Sequence, residues 1–92
     1  MPLNPSYTKQ FEKDLKLALK RGKDPLKIKR VLTKIINQEP LELKYRDHKL
    51  TGNYRDRRDC HIEPDWILIY KPDLENNRVI FERTGTHSDL FR

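Results

Sequence analysis

The stretch RDCHIEPDWILIYK, residues 58–71, reads as a strand, a turn and a second strand. Arg58 to Ile62 alternates in the period-two manner of a strand with one buried face. Glu63-Pro64-Asp65 holds turn formers. Trp66 to Lys71 is apolar on both faces, as a central strand covered from both sides must be. Working outward, Pro72 to Asn77 is a second turn and Arg78 to Arg83 a further strand with alternating Val79 and Phe81. Connections this short force antiparallel neighbours. A strand near Tyr45 to Leu50, ending in Thr51-Gly52-Asn53, would complete a small curled sheet.

Upstream, the apolar period changes from two to between three and four. Residues 6–21 read as a helix, with Ser6 as N-cap, Phe11, Leu15, Ala18 and Leu19 on one face, and Gly22 as the stop. Asp24-Pro25 opens a second helix, with Pro at the first helical position, where its missing N–H costs nothing. Leu26, Ile28, Val31, Leu32, Ile35 and Ile36 form its stripe, and Glu39-Pro40 ends it. The expected fold is α+β: an antiparallel helix hairpin on one face of a small curled antiparallel sheet, with a short C-terminal helical turn. Residues 1–92 make one domain.

Composition narrows the class. Hydrophobic residues are 35% and charged residues 37% of the chain, polar for a folded protein, but the apolar residues are clustered and periodic. The single cysteine, Cys60, excludes an internal disulfide and fits a reducing cytoplasm. Met1-Pro2-Leu3-Asn4-Pro5 has no signal-peptide run, and Trp66 to Tyr70 is too short to span a membrane. The net charge of +6 is unevenly placed: residues 1–39 hold 10 Lys and Arg against 4 Asp and Glu, whereas residues 40–92 hold 10 of each. A Lys-rich helical region suits sequence-blind docking on phosphates or an acidic partner, as well as plain solubility.

The chain ends in RTGTHSDLF, residues 83–91, which sets a cation, an imidazole and an aromatic close together. All three histidines, His48, His61 and His87, fall in or beside the sheet, with Asp65 and Arg83 at a turn and a strand end. Singly, each has an ordinary explanation as a surface, turn or capping residue; jointly, they suggest a site on the sheet face away from the helices. Metal binding is disfavoured, because no close ligand pair such as His-x-x-x-His is present and Arg83 would repel a cation. Metal-free phosphoryl chemistry on RNA fits better. The ribose 2′-OH is an internal nucleophile, so the protein must only take its proton, protonate the 5′-oxygen and stabilise the charge between them. Neutral His or Asp suits the base, protonated His the acid and Arg the clamp on non-bridging oxygens. Phe91 or Trp66 would stack on a base.

The blocks YRDHKLTGNY, RDCHIEPDWILIYK and FERTGTHSDLF resemble the signature blocks of the YafQ branch of the RelE/ParE toxin superfamily, over nearly the whole chain. That resemblance implies a RelE-like fold and a ribosome-dependent messenger RNA endonuclease that needs no cofactor and no metal. It implies three partners: a cognate antitoxin, the ribosome (16S ribosomal RNA and message in its A site), and operator DNA bound only through the antitoxin complex. No membrane is involved. It places the catalytic set on His48, His61, Asp65, Arg83 and His87, with Phe91 positioning the message. His87 is the expected acid, Asp65 or His48 the base, and His61 an aid to either. Two rival functions keep the same fold or charge: a non-enzymatic ParE-like toxin binding a protein target such as gyrase, and a basic nucleic-acid-binding regulator. Three titratable histidines around an arginine have no use in a pure binder, and no helix-turn-helix or ribbon signature supports the regulator.

Overall fold

The computed structural model describes residues 2–52 and 56–91. Its elements in chain order are β1 (Asn4–Tyr7), α1 (Lys9–Lys20), α2 (Pro25–Ile36), β2 (His48–Lys49), β3 (Arg58–Glu63), β4 (Trp66–Asp73), β5 (Arg78–Gly85) and α3 (His87–Leu90), with 3₁₀ turns at Leu43–Tyr45 and Leu74–Asn76. The sheet order is β1-β5-β4-β3-β2. Strands β2 to β5 form the expected antiparallel meander, and the Pro64-Asp65 turn joins β3 to β4.

The N-terminus departs from expectation. Asn4–Tyr7 is a strand running parallel to β5, so the sheet is mixed. The helix starts later, and its N-cap is Thr8, not Ser6: the Thr8 hydroxyl accepts from the Phe11 amide at 2.9 Å. Pro5 has no N–H to donate, which an edge strand tolerates. The chain is further tied down where the Leu3 amide donates to the Ile36 carbonyl at 2.7 Å. The stop at Gly22 is as expected; its φ of +92° is the left-handed conformation that glycine adopts without strain. Asp24 caps α2 through the Leu26 amide, with Pro25 at its start. That helix ends at Ile36, before Glu39-Pro40, and Leu26 is 63% exposed and so outside its packed stripe. The strand expected near Tyr45 to Leu50 shrinks to His48–Lys49, because Tyr45 sits in a 3₁₀ turn closed by Arg46 in the left-handed region. Asn53, in the turn expected after it, lies outside the described residues.

The main core fills the space between helices and sheet. Helix α1 packs on β5 and α2 on β3. Phe11, Ala18, Ile28, Val31 and Ile35 meet Cys60, Ile62, Trp66, Leu68, Tyr70, Val79 and Phe81 there. Phe81 lies within ring-contact range of Tyr7, Phe11 and Tyr70; truncating such a residue to alanine costs about 3–5 kcal/mol. On the opposite sheet face, Leu90 and Leu50 cover Ile67 and Ile69. This second small cluster is why β4 is buried on both sides, and it brings α3 onto the face that carries the histidines.

Candidate active site

Residues paired across an antiparallel sheet share a face. The pairs His48↔Asp59, Asp59↔Ile69 and Ile69↔Arg83 therefore form one row across β2, β3, β4 and β5. The pairs His61↔Ile67 and Ile67↔Gly85 form the next row. Both rows lie on the face away from α1 and α2. Sheet register alone thus sets His48, His61 and Arg83 on one face, with Asp59, and leaves His87 to arrive from α3 just past Gly85.

Helix α3 is fastened for that purpose. Thr86 and Asp89 form a reciprocal capping box. Arg21, at the end of α1, donates to Asp89 Oδ2 at 2.8 Å. That guanidinium, helped by the Thr86 amide, holds the Asp89 carboxyl down to about 2. Gly85 is required beneath: a Cβ there would lie 2.9 Å from Asp89 Oδ2. His87 is then fixed twice to one atom, because its backbone amide (2.9 Å) and its ring Nδ1 (2.7 Å) both meet Asp65 Oδ1. These two contacts keep the Asp65 carboxyl below the usual carboxylate range, led by the backbone bond. An ionised carboxylate only accepts, so Nδ1 carries the proton and Nε2 faces outward.

His61 follows the same rule. Its Nδ1 meets the Pro64 carbonyl at 3.2 Å, leaving Nε2 as the outward atom. Its ring centroid is 5.4 Å from that of His87, and the Phe91 ring lies 6.3 Å beyond His87. Phe91 is 39% exposed.

His48 differs. Its Nδ1 meets the Arg46 carbonyl at 2.7 Å and must carry a hydrogen, while Nε2 lies 2.9 Å from Asp59 Oδ1. The two side chains are in ion-pair range across the β2–β3 pairing. Asp59 is only 4% exposed, and burial raises its carboxyl above the usual range against the opposing pull of His48 and His61. The Nε2 contact lies off hydrogen-bond alignment, and Oδ1 has no hydrogen-bond partner among the described residues. Sequence reasoning missed Asp59, although its place two residues before His61 on the same strand was the available signal.

Arg83 is held from behind. Its Nε and Nη2 reach Asp14 of α1 at 2.8 and 3.3 Å, and the Thr84 amide joins the same carboxylate at 3.1 Å. Asp14 was also missed; a charged residue three positions after Phe11, inside the buried stripe, was its signature. Trp66 is a correction. It is 1% exposed, in the core on the helix side, with its Nε1 donating to Thr84 Oγ1 at 2.9 Å. A base cannot stack on it, which leaves Phe91 as the exposed one of the two expected stacking residues. The Lys-rich helices are not separate from this region either, since Lys23 and Lys27 both pair with Glu63 beside the β3–β4 turn.

A small mixed sheet with three histidines and an arginine on or beside its helix-free face is the arrangement that meets the toxin resemblance read from the sequence. The chain belongs to the YafQ family, described as the bacterial toxin of type II toxin–antitoxin systems, whose family model matches residues 3–92. It is 52% identical over 86 residues to the mRNA interferase toxin YafQ of Escherichia coli (strain K12), covering 92% of this chain and 91% of that protein. The E. coli DinJ–YafQ toxin–antitoxin complex contains a chain that superposes with a TM-score of 0.90 at 47% identity, over 100% of both chains. A metal-bound toxin from Helicobacter pylori superposes with a TM-score of 0.91 at 38% identity, over 97% of this chain and 99% of that one. Among the described residues here, no three His, Cys, Asp or Glu side chains are placed to hold one metal ion. No helix among them is long and apolar enough to cross a membrane.

Proposed function

We propose that this toxin cleaves messenger RNA on the ribosome by attack of the ribose 2′-OH on the adjacent phosphate, with histidines moving the protons. The observation that carries this reading is His87, its Nδ1 locked on Asp65 and its Nε2 turned outward beside His61. His87, held by Asp65 at its amide and its Nδ1 with Nε2 left to meet the substrate, is the general acid for the 5′-oxygen. Asp65 is occupied in that task and is a positioning residue, which removes it from the choice of base. His61, whose outward Nε2 keeps a lone pair, takes the 2′-OH proton. His48 lies on the same sheet face, its Nε2 beside Asp59 Oδ1, and is the alternative base. Arg83, braced by Asp14, faces the developing phosphorane charge, and such a preformed charge is worth several kcal/mol in a partly dry site. Phe91 stacks on a base next to the cleaved bond.

The set has no metal-activated water and no strongly basic group. Orientation of the message by the ribosome fills that gap, and fixing two reactants in line contributes about 7–11 kcal/mol at its limit. The partners follow from the family: a cognate antitoxin like the DinJ of the E. coli complex, the ribosome, and operator DNA through the antitoxin complex. A cytoplasmic location follows from the ribosomal target.

The test is primer-extension mapping of message ends after induction in cells. New ends should appear within translated frames and vanish from the same message when its start codon is removed. Ends that persist without translation would overturn ribosome dependence, and no ends at all would favour a ParE-like binder.

A further inference from the structure

A second pocket opens beside the histidines. It has a volume of about 350 Å³ and lies between α2, the Leu43–Tyr45 turn and the β3–β4 turn. That reaches the lower end of small-ligand sites, about 300 Å³. Four of its lining residues are cations, Lys27, Arg30, Lys44 and Arg46, and His61 forms its border with the candidate active site.

The charges are not equally available. Lys27 is paired with Glu63 at 2.8 Å, and that carboxyl is drawn below its usual range by Lys23 and Lys27. Lys44 lies over the Tyr45 ring and within 4.0 Å of Glu42. Arg30 and Arg46 are both exposed, and neither has a carboxylate partner among the described residues. Arg46 also sits in the left-handed region at φ 48°, a conformation that costs a non-glycine residue about 1–2 kcal/mol. Its carbonyl holds His48 Nδ1 while its side chain lines the pocket, so one strained residue links the two sites. Two exposed guanidinium groups on the wall of a concave site match a phosphodiester, which arginine can grip in bidentate fashion.

We propose that this pocket binds a backbone phosphate of the message next to the cleaved bond, with Arg30 and Arg46 as the clamp and His61 as the boundary between the two phosphates. The inference rests on the nuclease reading and deepens it: message bound here runs from the pocket over His61 to His87 and Phe91. Part of α2 thereby belongs to the substrate site and is not only a docking surface.

The experiment uses ribosome-bound messages that carry one neutral methylphosphonate at each linkage within a few nucleotides of the cut. Wild-type toxin is compared with Arg30→Gln/Arg46→Asn, Asn being tolerated at positive φ. A control with equal charge loss outside the pocket is Lys9→Gln/Lys29→Gln. Wild type and control should lose affinity, read as a rise in half-saturating toxin of about tenfold, at one flanking linkage. The double variant should start about tenfold weaker and be blind to the methylphosphonate at that linkage alone. A double variant that matches the control overturns the proposal. So does one that is weakened but senses every linkage as wild type does, since the pocket then holds another polyanion such as ribosomal RNA.

If wild type leaves the unmodified message uncut, the nuclease reading fails. The pocket is then read from binding of a 2′-deoxy-blocked RNA oligonucleotide. The salt dependence of the double variant should be shallower by about 0.7 in log–log slope for each phosphate that it no longer neutralises, and equal slopes overturn the pocket.

Discussion

His87 and Asp65 are joined twice through a single oxygen: Asp65 Oδ1 accepts from the His87 backbone amide at 2.9 Å and from its ring Nδ1 at 2.7 Å. The backbone bond fixes where α3 begins and the ring bond fixes which nitrogen faces out. One carboxylate therefore sets both the position and the tautomer of the proposed acid.

Asp65→Asn keeps the shape of the turn but weakens the acceptor that holds the His87 ring through Nδ1. Cleavage at saturation should fall about 10²-fold or more, in the range of losing a positioned acid, with half-saturation nearly unchanged. The discriminating readout is a leaving group that needs no proton. A message with sulfur in place of the 5′-oxygen at the cut should largely restore cleavage by the variant, and an equal loss on that message would leave Asp65 a merely structural residue.

Asp59→Asn should stabilise the protein while impairing it. Burial raises the folded carboxyl above its usual value, so the folded state is penalised once pH passes the unfolded value of about 3.9, and the penalty is complete above the folded one. The thermal midpoint of the variant should exceed wild type near neutral pH, and the gain should vanish near pH 3. Cleavage should drop at least several-fold because His48 loses the carboxylate beside its Nε2. A variant destabilised at neutral pH would show that ionised Asp59 is held favourably and would reverse this account.

The fastening of α3 should loosen in acid. Asp89 has a folded value depressed to about 2, so its contribution is present above the unfolded value of about 3.9 and is lost as pH falls through about 2. Amide exchange at His87 and Leu90 should therefore rise across that window while β4 stays protected. In Gly85→Ala the same amides should exchange faster at neutral pH, because the new methyl displaces Asp89 from the Thr86 amide. Unchanged exchange in that variant would mean that Asp65 and Leu90 hold the helix without the Asp89 cap.

Metal analysis of the purified toxin should find less than stoichiometric zinc or copper, and cleavage should not scale with metal content. The basis is the donor arrangement: Asp65 is committed to His87, and His48 is held between Arg46 and Asp59. One tightly held ion per chain with proportional activity would overturn the metal-free scheme.

Much of this was legible in the sequence because it rests on local signals. The apolar run Trp66–Tyr70 gave the central strand, Asp24-Pro25 the start of α2, and Gly22 the turn between helices. The edge strand β1 was not legible. Four residues, Asn4 to Tyr7, are too few to show a period, and their pairing partner lies at the far end of the chain. The histidines, Asp65, Arg83 and Phe91 could be proposed from the sequence because their residue types announce chemistry. Asp59 and Asp14 were missed because their importance comes from burial, which depends on α3 and Leu50 closing one face and α1 closing the other. Trp66 was misassigned for the converse reason: an aromatic beside a turn suits stacking, and only the three-dimensional packing shows its ring turned to the core.

The most direct test of the central claim is the 2′-OH itself. A message with a single 2′-deoxy nucleotide on the 5′ side of the cleaved bond is placed in the ribosomal A site and treated with saturating toxin. The account predicts no cut at that bond, and in the all-ribose message an upstream fragment ending in a 2′,3′-cyclic or 3′-phosphate with a 5′-hydroxyl on the other. Cleavage of the deoxy message at the all-ribose rate would mean that water or another nucleophile attacks the phosphate, and would contradict the account.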